Sequence, residues 1–303
     1  MKHLFLTGLI SLLSIPFAFA EKVTVKHLMG TTTIDGIPKR AVVIGLGAMD
    51  AVNALGIEPV AVSKTLPQTP AYLEKFQSKQ YANAGSLFEP NFEEIYTQQP
   101  DIIIVGPRSS SRFEELSKIA PTVVFAANSD KGYWQATQEQ WRNLGQIFGK
   151  EALVEQKILV MNTQIDAIRS HNQATGNDAL TVMSSGGKLT SFGADSRFSA
   201  IYQDFGFKET VEDITVSTHG DMMSFEFIRE ANPKTLLIID RDTLIDPTKS
   251  TTRESFNNAL VKATRAYQTD KVTYLDLNAW YLSMSGITAT EQMIKDIQRS
   301  ISL

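Results

Sequence analysis

The chain contains no cysteine among its 303 residues. This absence excludes disulfides, thiolate metal sites, iron–sulfur clusters, cysteine nucleophiles and a lipid anchor on cysteine. A surplus of positive charge is also missing, because 29 Lys and Arg residues face 33 Asp and Glu residues. We expect no nucleic-acid partner, since proteins that bind nucleic acids present a basic surface. The remaining composition is that of a folded globular chain, and the length suggests two domains.

Familiar enzyme motifs are missing as well. The chain has no Walker P-loop, no HExxH and no GxSxG sequence. The segment from Gly45 to Asp50, GLGAMD, resembles a dinucleotide-binding turn, but Asp50 stands where that motif has its third glycine. A carboxylate there would repel a pyrophosphate. The sequence therefore offers none of these catalytic motifs, and we expect no dinucleotide site at this turn.

Long apolar runs are absent beyond the N-terminus. Lys2 and His3 precede an apolar run from Leu4 to Phe17, and Ala18-Phe-Ala20 has the small residues of a signal-peptidase site. We predict that residues 1–20 are a cleaved signal peptide. The alternative is an uncleaved N-terminal anchor. A cleaved signal peptide implies that the mature chain is exported. Because no other stretch of about 18 apolar residues exists, we expect that the mature chain does not span a membrane.

Strand and helix patterns alternate along the mature chain. Apolar, β-branched runs such as Ala41-Val-Val-Ile and Asp101-Ile-Ile-Ile-Val favour buried parallel strands. The segment from Glu151 to His171 lacks Gly and Pro and has apolar residues at helical spacing. The sequence therefore predicts two Rossmann-like α/β lobes with mostly parallel sheets, residues 21–150 and 175–303. One long helix over residues 151–174 joins them.

A weak internal repeat relates the two lobes. The segments from Asn91 to Arg108 and from Ser224 to Arg241 share one pattern: cap residue, Phe, Glu, any residue, Ile, four residues, Pro, apolar strand, Arg. Coincidence between two ordinary helix–strand units is the alternative explanation. Each unit delivers one arginine at the carboxyl end of a strand, where open α/β sheets bind ligands. We expect Arg108 and Arg241 to face one cleft.

Three further residues could carry chemistry. Arg197 stands at a helix start, against the helix dipole, so it is expected to face a negative group. Three arginines in one cleft would suit a bulky anion, although each alone could be a surface residue or part of an ion pair. His219 and Tyr281 are plausible ligands for ferric iron, but a solvated histidine and a packed tyrosine remain the alternatives.

These residues carry a resemblance to a known family. In Arg108, Ser196-Arg-Phe198, Thr218-His-Gly220 and Trp280-Tyr281, the chain resembles the periplasmic iron–siderophore binding proteins of ABC importers. More narrowly, it is similar to the branch that receives ferric catecholates. The resemblance implies a soluble periplasmic monomer without an intrinsic cofactor. Its cargo would be a ferric catecholate siderophore, with Fe(III) entering as the chelate, and its partner an inner-membrane ABC permease dimer.

The resemblance also implies roles for the ligand-binding residues. Arg108, Arg197 and Arg241 would contact catecholate oxygens. His219 and Tyr281 would complete the iron coordination when a tetradentate siderophore supplies only four donors. Trp280 would add stacking and cation–π contacts with the catechol rings.

The resemblance further assigns two surface glutamates to transport. Glu93 and Glu226 would dock on arginines of the permease, although favourable charge in a first helical turn is the alternative. Other cargoes of the same fold stay open, namely haem, cobalamin or a hydroxamate siderophore, and haem is the main rival. A periplasmic enzyme on this scaffold is the less favoured alternative.

Overall fold

The computed structural model of the protein describes residues 22–64, 69–127, 131–212, 221–244, 248 and 250–303. The proposed signal peptide lies outside this range. Within it, no helix has both the length and the apolar character needed to cross a bilayer.

The first lobe is built on a parallel sheet with strand order β5-β4-β3-β6-β7. An antiparallel hairpin, absent from the sequence-based prediction, precedes it and packs on its edge, where Thr32 Oγ1 donates to the carbonyl of Thr122 at 2.6 Å. The strands β3 and β6 are buried on both faces, which explains their continuous apolar sequence. The elements of this lobe are β1 Lys22–His27, β2 Gly30–Asp35, β3 Ala41–Ile44, α1 Leu46–Ala54, β4 Ala61–Val62, β5 Ala82–Asn83, α2 Phe92–Thr97, β6 Ile102–Val105, α3 Phe113–Leu116, β7 Thr122–Val124 and α4 Tyr133–Phe148.

A single long helix, α5 Glu151–Thr175, leads from the first lobe to the second. Its 25 residues span about 37 Å at 1.5 Å per residue. Gly176 caps the helix, and its left-handed backbone (φ 56°) closes the last turn as glycine commonly does.

The second lobe has the strand order β11-β9-β8-β12-β13, with β10 also paired to β8. The pairs of β8 with β10 and β12 and of β12 with β13 are parallel, whereas β9 and β11 form an antiparallel edge. The predicted α/β class with mostly parallel sheets is therefore confirmed. The elements of this lobe are β8 Asp178–Ser185, β9 Lys188–Phe192, α6 Ala200–Gln203, β10 Lys208–Glu209, β11 Asp221–Met223, α7 Phe225–Ala231, β12 Thr235–Asp240, α8 Thr252–Phe256, α9 Ala259–Lys262, α10 Arg265–Gln268, β13 Val272–Tyr274 and α11 Ile287–Ile301.

The repeat seen in the sequence occupies equivalent places in the two sheets. Asn91 caps α2 by accepting the N–H of Glu94 at 3.1 Å, and Ser224 caps α7 by accepting the N–H of Phe227 at 3.4 Å. The strands that follow, β6 and β12, each lie between two parallel neighbours. Each unit then ends in a 3₁₀ turn, which carries Arg108 in the first lobe and Arg241 in the second.

The lobes share a tightly packed contact between α1 and the start of α11. The buried carboxylate of Asp50 on α1 accepts the backbone N–H groups of Thr288 at 3.0 Å and Ala289 at 2.7 Å. A methyl group added to Gly47 would lie 2.3 Å from the carbonyl oxygen of Met284. The backbones of the two lobes thus approach each other as closely as glycine allows.

Candidate ligand-binding site

Tyr281 lies at the centre of the cleft between the lobes. It belongs to a π-helical turn, Asn278–Leu282, which follows β13. Such turns are rare and often mark functional sites. The carbonyl oxygen of Tyr281 accepts hydrogen bonds from Nη2 of Arg108 at 3.1 Å and from Nη2 of Arg197 at 3.4 Å. One backbone oxygen thereby holds two guanidinium groups from opposite lobes.

The half-buried ring of Tyr281 is surrounded by three arginines. The guanidinium carbons of Arg197, Arg241 and Arg108 lie 4.3, 5.6 and 5.9 Å from its centroid. All three distances fall within the range of cation–π contacts. We call Arg108, Arg197 and Arg241 the arginine cluster, and the structure brings its members together as the sequence predicted.

The arginine cluster carries positive charge that the described residues do not neutralise. Within the described ranges, no carboxylate forms a salt bridge with any of the three side chains. Arg241 Nη1 donates to Ser185 Oγ at 3.1 Å, and the buried Nε of Arg197 has no hydrogen-bond partner. Burial lowers the pKa of Arg108 and of Arg197, yet a guanidinium stays charged at neutral pH. This concentration of charge suits an anionic ligand.

A cavity of about 290 Å³ opens beside the cluster, and we call it the arginine cavity. Its lining combines Arg108, Arg197 and Tyr281 with glycine backbone and apolar side chains, and it contains no carboxylate. The lining residues are Gly45, Leu46, Gly47, Ala48, Leu87, Gly106, Pro107, Arg108, Phe125, Arg197, Tyr281, Leu282 and Met284.

A larger cavity of about 700 Å³ lies elsewhere, beside β13 in the second lobe. Its acidic groups already serve the fold. Asp296 accepts the backbone N–H of Asp276 at 2.7 Å and the indole N–H of Trp280 at 3.0 Å, and Asp240 accepts the hydroxyl of Ser250 at 2.6 Å. The arginine cavity is therefore the better candidate ligand site, because its arginines form no ion pair with any described residue.

The expectation for Trp280 is wrong. Its side chain is fully buried, its indole N–H donates to Asp296, and its ring packs 6.2 Å from that of Phe205. The π-helical turn presents Tyr281 to the cleft and directs its neighbour into the core. Trp280 therefore has no surface to offer a catechol ring.

His219 lies outside the described residues. Tyr281, its proposed partner in iron coordination, is half-buried in the cleft. Among the described side chains, no group of three or more His, Asp or Glu residues could hold a metal ion. Met284, whose sulfur lies 3.7 Å from Arg197 Nη2, was not predicted, because a lone methionine carries no sequence signal of a binding site.

The two surface glutamates occupy matching places on the two lobes. Glu93 stands in the first turn of α2 and Glu226 in the first turn of α7, and both side chains are exposed. Hydrogen bonds from its own backbone N–H and from Ser224 lower the pKa of Glu226. Both residues are available to a partner.

Comparison with known proteins identifies the family. A family model described as "Periplasmic binding protein" matches residues 42–279. The chain belongs to this family. The crystal structure of the periplasmic catecholate-siderophore binding protein VctP from Vibrio cholerae is similar at 56% identity, with a TM-score of 0.89 and coverage of 92% of this chain and 100% of that one.

Two curated relatives match across nearly the whole chain. The petrobactin-binding protein YclQ of Bacillus subtilis is 34% identical over 280 residues, which cover 92% of this chain and 88% of YclQ. The ferric-anguibactin-binding protein FatB of Vibrio anguillarum is 31% identical over 279 residues, which cover 91% of this chain and 86% of FatB. The family predicted from the sequence is confirmed.

Proposed function

We propose that this protein captures a ferric catecholate siderophore in the arginine cavity and delivers it to an ABC permease. The observation that carries the proposal is the convergence of Arg108, Arg197 and Arg241 on the ring of Tyr281. Ferric iron with three catecholates is formally a trianion, and the bis-catecholate is a monoanion. Guanidinium groups bind such delocalised oxygen anions well because they are planar and permanently charged.

The names of the similar proteins support the same ligand class. VctP is described as a catecholate-siderophore binding protein, YclQ as petrobactin-binding and FatB as ferric-anguibactin-binding. All three names refer to siderophores. For this chain we favour the catecholate class, since its arginine cavity has charged walls and no carboxylate.

A tetradentate bis-catecholate is the form of cargo that we propose. Such a chelator leaves two coordination positions of the iron open. The phenol of Tyr281 is one candidate donor because it stands among the arginines, and His219 is the other. Phenolate oxygen is a ligand that iron accepts in proteins, so this donor would engage when the chelate arrives.

Delivery to the permease is the second half of the proposal. Glu93 and Glu226 place one exposed carboxylate on each lobe, which fits a two-subunit partner with arginines on its surface. We infer that the protein acts as a periplasmic monomer and that it catalyses no reaction. Iron enters only as the chelated cargo.

A titration of the mature protein tests this function. Ferric bis-catecholate, ferric tris-catecholate, ferric hydroxamate and haem are added separately while tryptophan fluorescence reports binding. The catecholates are expected to bind. Arg197→Gln should weaken that binding by about 10- to 100-fold, the effect of one charged hydrogen bond of roughly 1.5–3 kcal/mol. The control Arg142→Gln removes a half-buried arginine that is paired with Glu155 and does not line the cavity, so it should leave affinity unchanged. Binding of haem or the hydroxamate alone would refute the proposal.

A further inference from the structure

The cleft continues beyond the arginine cavity. A second cavity of about 320 Å³, which we call the side cavity, adjoins it, and both are lined by Pro107, Phe125, Arg197 and Met284. Arg197 therefore stands at the junction, with its Nη2 3.4 Å from the carbonyl of Tyr281 on the arginine side. A ligand that fills both cavities would pass along this side chain.

The side cavity has a different chemistry from its neighbour. Phe125 and Ala126, only 2% and 7% exposed, give it an apolar wall from the first lobe. The hydroxyl of Tyr133 is already engaged, since it accepts the N–H of Ser285 at 2.8 Å, so its ring is what remains for contact. Small polar side chains of the second lobe, including Ser199, line the opposite wall.

The two cavities also differ in the charged residues that line them. Asp195 lines the side cavity, is exposed and forms no ion pair with any residue in the described ranges, whereas the arginine cavity contains no carboxylate. An anionic iron centre is attracted to the arginine cavity and repelled by Asp195. Arg197 also lines the side cavity, so one guanidinium and one carboxylate face it and their charges offset each other. The side cavity is therefore suited to an uncharged group with apolar parts.

The volumes of the two cavities and the covalent structure of a bis-catechol chelator indicate which group could occupy the side cavity. A chelator that carries two catechols in one molecule must join them by an organic chain, and that chain needs space beside the iron centre. The arginine cavity alone lies at the lower end of the roughly 300–1,000 Å³ that ligand pockets occupy, whereas the two joined cavities fall well inside this range.

We propose that the side cavity binds the chain that joins the catechol groups of the siderophore. The inference rests on the proposed function and adds a second source of selectivity. The arginine cavity recognises the iron centre, and the side cavity recognises an uncharged, partly apolar connecting chain. Siderophores with the same iron centre but different chains are then distinguished by the residues of the side cavity.

Two cavity-filling variants test the inference from opposite walls. Ser199→Phe fills the cavity from the second lobe and Ala127→Leu from the first. The matched controls Ser170→Phe and Ala167→Leu place the same side chains on the exposed face of α5. Two ferric probes are titrated into each protein. One contains two separate catechols per iron, and the other is a bis-catechol whose rings are joined by an amide-containing chain.

The expected result is selective. Each filling variant should weaken binding of the joined probe by roughly tenfold or more, while binding of the separate-catechol probe changes by less than about twofold. Equal losses for both probes, or no loss for the joined probe in either variant, would overturn the assignment of the side cavity. A wild-type protein that binds neither probe would refute the proposed function itself, and this inference with it.

Discussion

Replacement of Asp50 by Ala should destabilise the protein by separating α1 from α11. The carboxylate is fully buried and accepts the N–H groups of Thr288 and Ala289 at 3.0 and 2.7 Å, where the first turn of α11 has no partners of its own. The substitution removes two charged hydrogen bonds and leaves two buried N–H donors without an acceptor, which lowers the free energy of unfolding. Removal of a buried charge offsets part of this loss. We expect a net loss of about 2–4 kcal/mol in the free energy of unfolding.

A matched control separates burial from hydrogen bonding. Asp101 also accepts two backbone N–H groups, those of Lys39 at 2.7 Å and Arg40 at 2.9 Å, but its side chain is exposed. Asp101→Ala should therefore cost no more than about 1 kcal/mol, because water replaces the lost acceptor. Thermal unfolding followed by circular dichroism should show a drop of roughly 5–15 °C for Asp50→Ala. Equal drops for the two variants would refute the reasoning.

The pH dependence gives an independent check on the same group. Burial raises the pKa of Asp50 from 3.8 to about 6, in spite of its hydrogen bonds. Between about pH 4 and 6 the native state then binds more protons than the unfolded chain, so this group's contribution to stability is lost as the pH rises through that window. Asp50→Asn cannot titrate. Its stability relative to the wild type should improve from pH 4 to pH 7, and an unchanged difference would contradict the assignment.

The remaining predictions concern binding, transport and the contact between the lobes. Tyr281→Phe should lower affinity for a ferric bis-catecholate and leave a ferric tris-catecholate nearly unaffected, because only the former has open iron positions; titration of both complexes measures this. Replacement of Glu93 and Glu226 together by Gln should abolish siderophore-dependent iron uptake by cells while ligand affinity in solution persists. Gly47→Ala should cost about 1–3 kcal/mol in thermal unfolding, because its methyl group would press against the carbonyl of Met284.

Each of these variants has a control or a decisive contrary outcome. Tyr267→Phe removes an exposed hydroxyl and should not alter ferric bis-catecholate binding, and equal losses for bis- and tris-catecholate in Tyr281→Phe would remove its role as a metal ligand. Glu114 and Glu254 stand in first turns of other helices, one in each lobe, so their double Gln variant should transport normally. Normal uptake by the Glu93/Glu226 variant would rule out docking. Unchanged stability of Gly47→Ala would show that the lobes can separate freely.

The fold could be predicted from the sequence because its strongest signals are local. β6 and β12 are apolar, β-branched runs bounded by Pro, and α5 is an uninterrupted helical pattern that ends one residue beyond the predicted boundary. The antiparallel pairs were missed for a physical reason. β1 and β2 read KVTVKH and GTTTID, half polar sequences whose pairing is decided by packing against β7 rather than by their own composition.

The site was less predictable because side-chain direction depends on backbone geometry. From the sequence alone, the ring of either Trp280 or Tyr281 could face the cleft. The geometry of the π-helical turn directs Tyr281 to the cleft and Trp280 into the core. The arginines were found from local signals: Arg108 and Arg241 follow the ends of strands, and Arg197 stands at a predicted helix start. Met284 was not found, since its place beside Arg197 depends on how the lobes pack. No local pattern in the sequence contains that information.

Asp50 shows how one residue links the sequence pattern to the rigidity of the cleft. Gly45 and Gly47, which precede Asp50, line the arginine cavity where α1 starts. The Asp50 carboxylate stands where a dinucleotide-binding turn has glycine, and it accepts backbone N–H groups at the start of α11. A methyl group on Gly286 would lie 2.2 Å from this carboxylate, so the contact has no spare room. This contact opposes a large hinge motion of the lobes, because separation would expose the buried carboxylate and the N–H groups that it accepts. We therefore expect discrimination between ligands to come from the shape and charge of the two cavities, with adjustment by the side chains around Tyr281.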